Sequence, residues 1–128
     1  MREHRNPDII HKPVAGYVHQ IELSNIKRQL ILSGQIGMDL SGNIPEGINE
    51  QFEITLDNIV KNLISADMKI QNIDKLTIYL AEEMDAGKRK EILEKKLGSY
   101  KPCMTLIYVK SLASPKIKVE IDTMASSD

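Results

Sequence analysis

The chain has 128 residues, 41% hydrophobic and 27% charged, and its 17 Lys plus Arg against 18 Asp plus Glu leave a net charge of −1. That length predicts a single domain over residues 1–128, and the charge balance excludes broad attraction to nucleic acid or an anionic membrane. No apolar run of about 18 residues offers a transmembrane helix, the start lacks the apolar core of a secretory signal, and the lone Cys103 suits a reducing cytoplasm.

Residues 1–13 carry Pro7 and Pro13 without a sustained period and read as an irregular leader. Tyr17, Val18, Ile21 and Leu23 predict a strand over 16–23. The next strand covers 29–37, where Leu30 and Leu32 alternate with Ile31, so both faces begin apolar. Asp39 to Asn43 is a turn cluster. Over 48–66, Ile48, Phe52, Leu56, Ile59, Val60, Leu63 and Ile64 recur at spacings of three and four and predict a helix, with Gln51 and Asp57 off its stripe. Lys75 to Leu80 reads as a strand, and 84–97 as a second helix stopped by Gly98. Two strands close the chain, at 104–109 and 117–124, and residues 126–128 are expected to fray.

Two helices can cover one face of a five- or six-stranded sheet but not both. Layer packing requires the other apolar face to be buried as well. The simplest cover is another copy of the chain, in a cyclic assembly.

Leu32-Ser33-Gly34-Gln35-Ile36-Gly37, Gly42-Asn43-Ile44-Pro45, Leu56-Asp57-Asn58-Ile59, Leu76-Thr77-Ile78-Tyr79-Leu80 and Lys118-Val119-Glu120-Ile121-Asp122 follow Tyr17 in this order. The series resembles the RidA family, also called YjgF or endoribonuclease L-PSP, from about residue 14 to 125. The resemblance implies an α+β, chorismate-mutase-like fold: a mixed sheet with two helices on one face, assembled as a homotrimer. It also implies small-molecule pockets at the subunit interfaces. Enzymes of this family hydrolyse enamines and imines such as 2-aminoacrylate to keto acids and ammonia, without a metal or organic cofactor.

In those enzymes an arginine two residues after a proline forks onto the substrate carboxylate, a geometry lysine cannot copy. Here Pro102-Cys103-Met104-Thr105 puts Met104 in that place. A charge-assisted hydrogen bond contributes about 1.5–3 kcal/mol, and methionine has no donor to make one. An incoming carboxylate would instead meet Glu120 without a neutralising cation. The sequence therefore predicts a trimeric binder of a small neutral or cationic metabolite that lacks the Arg-dependent reaction. The alternative is an enamine/imine deaminase with an altered pocket, with Lys101 or Lys88 swinging in. An RNA-acting protein is disfavoured by charge and by the 4% aromatic content.

By the resemblance, Glu120 is the candidate catalytic acid or base, and Tyr17, Ser33, Gly34, Cys103 and Met104 are candidate ligand contacts. Each also has a plain structural reading. Glu120 alternates with Lys118 and Asp122 as a solvated strand face would, Ser33-Gly34 suits a bulge, Tyr17 an ordinary strand aromatic, and Met104 a core thioether. Cys103 has no base beside it in sequence and reads as a small hydrophobe, not a nucleophile. His4, His11 and His19 lack helical ligand spacing, so no metal site is expected. Lys88 to Lys96 alternate with Glu91 and Glu94 as a solvated helix face does.

Overall fold

The computed structural model describes residues 1–128. Nine elements follow along the chain: β1 (Arg2–Arg5), β2 (Gln20–Leu23), β3 (Arg28–Ile36), α1 (Ile48–Ser65), a short 3₁₀ turn (Ile70–Asn72), β4 (Ile73–Leu80), α2 (Ala86–Leu97), β5 (Cys103–Tyr108) and β6 (Val119–Ser127). The main sheet runs β3-β6-β4-β5, and β1 and β2 form a separate antiparallel ribbon. The β4–β5 pair is parallel and the other main-sheet pairs are antiparallel, so the sheet is mixed. Both helices pack on one face, as the resemblance implies.

Helix α1 forms where the 3.6-residue stripe predicts it. Phe52, Leu56, Ile59 and Leu63 are buried against Leu76, Ile78, Leu80, Val119 and Ile121. Ile64 stays 67% exposed, at the margin of the stripe. Gln51, expected off the stripe, is fully buried. It acts as a bracket: its Nε2 donates to Pro45 O and Lys116 O, and its Oε1 accepts from Lys118 N. Gly37 lets α1 approach this closely, because a Cβ there would lie 2.6 Å from main-chain atoms of Gln51.

The helix ends as the left-handed tolerance of aspartate allows. Asp67 has φ 57, Met68 N donates to Leu63 O and Asp67 N to Ile64 O. This is a Schellman ending without glycine. Helix α2 starts two residues later than its apolar pattern suggests, because the Asp85 carboxylate caps it by accepting from Lys88 N. Met84 is buried just before that cap, and Gly98, with φ 64, stops the helix.

Both chain ends depart from the expected pattern. The leader is not irregular throughout, since Arg2–Arg5 pairs with Gln20–Leu23. Only the second half of the strand expected over 16–23 forms. The tail does not fray at 126: β6 continues through Ser127, Ser126 is fully buried, and Asp128 bonds the Met1 amine. The reason is long-range. The half-buried Arg2 guanidinium reaches Asp74 Oδ1, Asn72 O, Ser126 O and Ser126 Oγ, which joins β1 to β4 and β6. The main sheet has four strands rather than five or six, because the ribbon stands apart as its own pair.

Tyr100, after α2, donates its phenol to Ile73 O. Burial pushes the phenol up to about 12, aided by the charge of Asp74 and opposed by Arg2. The folded chain thus keeps the proton where the unfolded chain, with an ordinary tyrosine near 10, releases it. Stability from this group is complete below about pH 10 and lost as pH rises towards 12. Tyr100→Phe should flatten that part of the alkaline unfolding curve, followed by circular dichroism between those pH values. An unchanged curve would remove Tyr100 as its source.

Candidate functional site

The face of the sheet away from the helices carries two of the candidate residues, Glu120 and Cys103. Pairing places Ile31 beside Met124, Met124 beside Lys75, and Lys75 beside Cys103. Further along, Asp122 pairs with Thr77, Glu120 with Tyr79, and Tyr79 with Ile107. Ile31, Ile107 and Met124 are 67%, 41% and 39% exposed on this face, so nothing within the chain covers it.

Ser33 and Gly34 form a bulge. Leu32 pairs with Thr123 and Gln35 with Ile121, so two residues of β3 oppose Asp122 alone. The Glu120 side chain lies over Gly34: a Cβ at that position would sit 2.3 Å from Glu120 Oε2. Glycine is required by that approach, not by a left-handed backbone. The atoms in the way are the mobile end of a glutamate, so Gly34→Ala should fold and displace the carboxylate. The expected result is a melting temperature within about 5 °C of wild type together with loss of ligand binding at this face, measured on one preparation. Retained binding would separate Gly34 from the site.

Tyr79, which sequence reasoning passed over, completes this group. Its hydroxyl donates to Asp122 Oδ2 at 3.3 Å. Burial pushes its phenol up, and the charges of Asp122 and Glu120 add to the shift. The even spacing of Lys75, Thr77 and Tyr79 marks one face of β4 in the sequence, but its register against β6 does not show there.

Cys103 lies on the same face, paired with Lys75, whose Nζ donates to Thr105 Oγ1 at 2.8 Å. Burial pushes the Cys103 thiol up, against the opposing pull of Lys75 and of a backbone hydrogen bond from Ile21. A thiol raised in this way is a poor nucleophile at neutral pH. Lys75 and Tyr79 are four strand residues apart, about 13 Å. Cys103 and Glu120 therefore mark opposite ends of the face.

Met104 and Tyr17 are not brought to this group. Met104 pairs with Leu76 and packs against the core on the helix side, so within the chain it does not line the open face. Strand alternation decides this, since adjacent residues take opposite faces. Tyr17 lies before β2, its hydroxyl accepting from Val14 N and its ring edge-on to His19. The lysines considered as replacement cations also lie elsewhere. Lys88 pairs with Glu91 on α2, and Lys101 lines a cleft of about 550 Å³ with His4, Gln71 and Tyr100. That cleft contains none of the candidate residues.

The four arginines are engaged away from Glu120. Arg2 holds Asp74, Arg5 holds Glu3 and Glu22, Arg28 donates to Ala66 O, and Arg89 donates to Met84 O. No three His, Cys, Asp or Glu side chains gather at one point, and no helix is long and apolar enough to cross a membrane.

The family model for endoribonuclease L-PSP matches residues 9–127. The chain belongs to this family, known also as RidA or YjgF. A RutC family protein of Buchnera aphidicola from Acyrthosiphon pisum is 34% identical over 119 residues, 89% of each chain. The rat 2-iminobutanoate/2-iminopropanoate deaminase is 30% identical over 102 residues, 78% of this chain and 74% of its own. A Yersinia pestis protein of the Rid family, YyfB, superposes with a TM-score of 0.86 at 23% identity, covering 98% of both chains. This RidA-family chain therefore has the fold of its relatives, with two helices packed on a mixed sheet.

Proposed function

We propose that this RidA-family chain acts as a cytoplasmic homotrimer that binds a small neutral or cationic metabolite between subunits, without Arg-dependent deamination of 2-imino acids. The observation that carries this reading is the charge at the open face. Glu120 and Asp122 stand there with Tyr79, and every arginine of the chain is engaged elsewhere. A second copy would bring the same four arginines in the same places. A carboxylate ligand would thus meet like charge without a bidentate partner, whereas an amine or hydroxyl ligand would meet acceptors. Apolar Ile31, Ile107 and Met124 on the same face favour a protein neighbour there.

The test generates 2-aminoacrylate in situ with a dehydratase and follows keto-acid formation with and without the chain. The expected result is no acceleration, beside a trimer in light scattering. Acceleration would favour the second reading, a deaminase with an altered pocket. The observation behind that reading is Lys75, a cation on the open face. In that case Lys75→Met should abolish the rate. An RNA-acting role finds no support in a chain of charge −1 with a pI near 6.3.

A further inference from the structure

Three side-chain amides link helix α1 to the bulge beneath Glu120. A bulge takes main-chain groups out of the strand ladder, and a carbonyl released in this way needs another donor. Gln35 supplies one, its Nε2 donating to Ser33 O at 3.0 Å. Gln35 pairs with the core residue Ile121, so its side chain lies on the helix side of β3. There Asn62 of α1 holds it, with Nδ2 donating to Gln35 Oε1 at 3.1 Å and to Asn58 O at 2.9 Å. One turn earlier, Asn58 Nδ2 donates to Ile36 O at 3.0 Å and to Met38 O at 2.9 Å. The helix therefore grips β3 on both sides of Gly34.

The direction of this relay is fixed by its ends. Ser33 O and Asn58 O only accept, so the amide nitrogens of Gln35 and Asn62 face them, and Gln35 Oε1 is left to accept from Asn62. A primary amide can accept from one neighbour and donate to the next, whereas a methionine or leucine of similar size passes nothing on. All three amides are half-buried. We propose that Gln35 and Asn62 are positioning residues for the Glu120 site, fixing the Ser33-Gly34 bulge from the helix side and, through it, the carboxylate that lies over Gly34.

Close contact carries the effect across the sheet. With room for no Cβ between Gly34 and Glu120 Oε2, a small movement of the bulge changes where the carboxylate sits. Gln35 and Asn62 act through Ser33 and Gly34 and touch no ligand themselves. The consequence for binding rests on the reading of this face as the site of a small cation, so the experiment has one arm for the positions and one for the ligand.

The experiment compares the full chain with Gln35→Met, Asn62→Leu and, as a control on an exposed part of β3, Gln29→Met, by nuclear magnetic resonance. Each should melt within about 5 °C of wild type. In Gln35→Met and Asn62→Leu the backbone order parameters at Ser33 and Gly34 should fall from about 0.85 to below about 0.6. The Glu120 carboxyl resonance should move at constant pH while that of Asp122 stays, and Gln29→Met should match wild type. Propylammonium chloride, titrated into the same samples, should bind the two network variants about fivefold more weakly. An unchanged bulge and Glu120 resonance in either folded variant overturns the assignment, as does an equal change in Gln29→Met. A loosened bulge with propylammonium binding undiminished overturns it too. If propylammonium binds no sample while the bulge and the Glu120 resonance respond as expected, the positioning is upheld and the cationic-ligand reading fails.

Discussion

Met104→Arg is expected to gain no activity on 2-aminoacrylate and to lose about 2–4 kcal/mol of stability. Counting from Pro102 makes this the variant that should recreate the family's arginine. The strand places it differently. Met104 pairs with Leu76 and packs with Leu106 against the core beneath the helices. Met104 is half-buried among apolar neighbours there, so a guanidinium gives up part of its hydration without gaining a partner from the core residues it packs on. At about 3–5 °C per kcal/mol for a domain of this size, the melting temperature should fall by roughly 10 °C. Cys103→Arg is the contrasting variant. Position 103 is half-buried on the open face beside Lys75 and Thr105. There an arginine should be tolerated, with melting close to wild type. If a cation for carboxylates is what the face lacks, affinity for a small carboxylate at the Cys103 end should rise about ten- to hundredfold, the equivalent of 1.5–3 kcal/mol. A Met104→Arg chain that melts like wild type and makes keto acid would show that the proline count, not the strand face, identifies the slot.

That contrast marks where the sequence stops being informative. Helices α1 and α2 were legible because the buried side chains that fix them recur within a few residues: Phe52, Leu56, Ile59 and Leu63 make their own pattern. The stop at Gly98 was legible for the same local reason. The order of strands and helices was enough to expect one bare sheet face, and Ile31, Ile107 and Met124 lie on it. What stayed hidden depends on contacts between distant residues. Nothing near Arg2 announces a strand, because its partners are Asn72, Asp74 and Ser126. Gln51 reads as a solvated helix residue, because the carbonyls it bonds lie six and sixty-five positions away. At the site, Ser33-Gly34 suggests a bulge, but the Glu120 carboxylate lying over it appears only with the register of β3 on β6. A one-residue difference of register decides whether Cys103 or Met104 faces the site, and flanking residues cannot fix it.

Arg2→Ala should cost about 3–5 kcal/mol, the largest stability loss expected from a residue outside the core. The Arg2 and Asp74 side chains are 17% and 11% exposed, and Arg2 Nε donates to Asp74 Oδ1 at 3.0 Å. Its Nη2 also reaches Asn72 O, Ser126 O and Ser126 Oγ at 2.8–3.0 Å. Truncating the arginine leaves a nearly buried carboxylate and the Asn72 carbonyl without their Arg2 donor, while Ser126 O keeps Asn72 Nδ2. Asp74→Ala should cost less, since a guanidinium keeps its three other acceptors and can extend towards water. The double variant Arg2→Met with Asp74→Leu should recover much of the loss, because an apolar pair removes the unpaired charge as well as the bond. Urea unfolding of the three chains measures this order. The consequence reaches the site through the ribbon. Without Arg2, β1 loses its tie to β4 and β6, and β2 loosens with it. The Ile21 backbone contact on Cys103 then opens, along with the cover that keeps the thiol half-buried. Reaction of Cys103 with a thiol reagent at neutral pH should therefore quicken in Arg2→Ala relative to wild type. If urea unfolding shows a loss below 1 kcal/mol, about what an exposed pair contributes, and the thiol rate stays level, the ribbon is held by its own pairing with β2, and Arg2 merely decorates it.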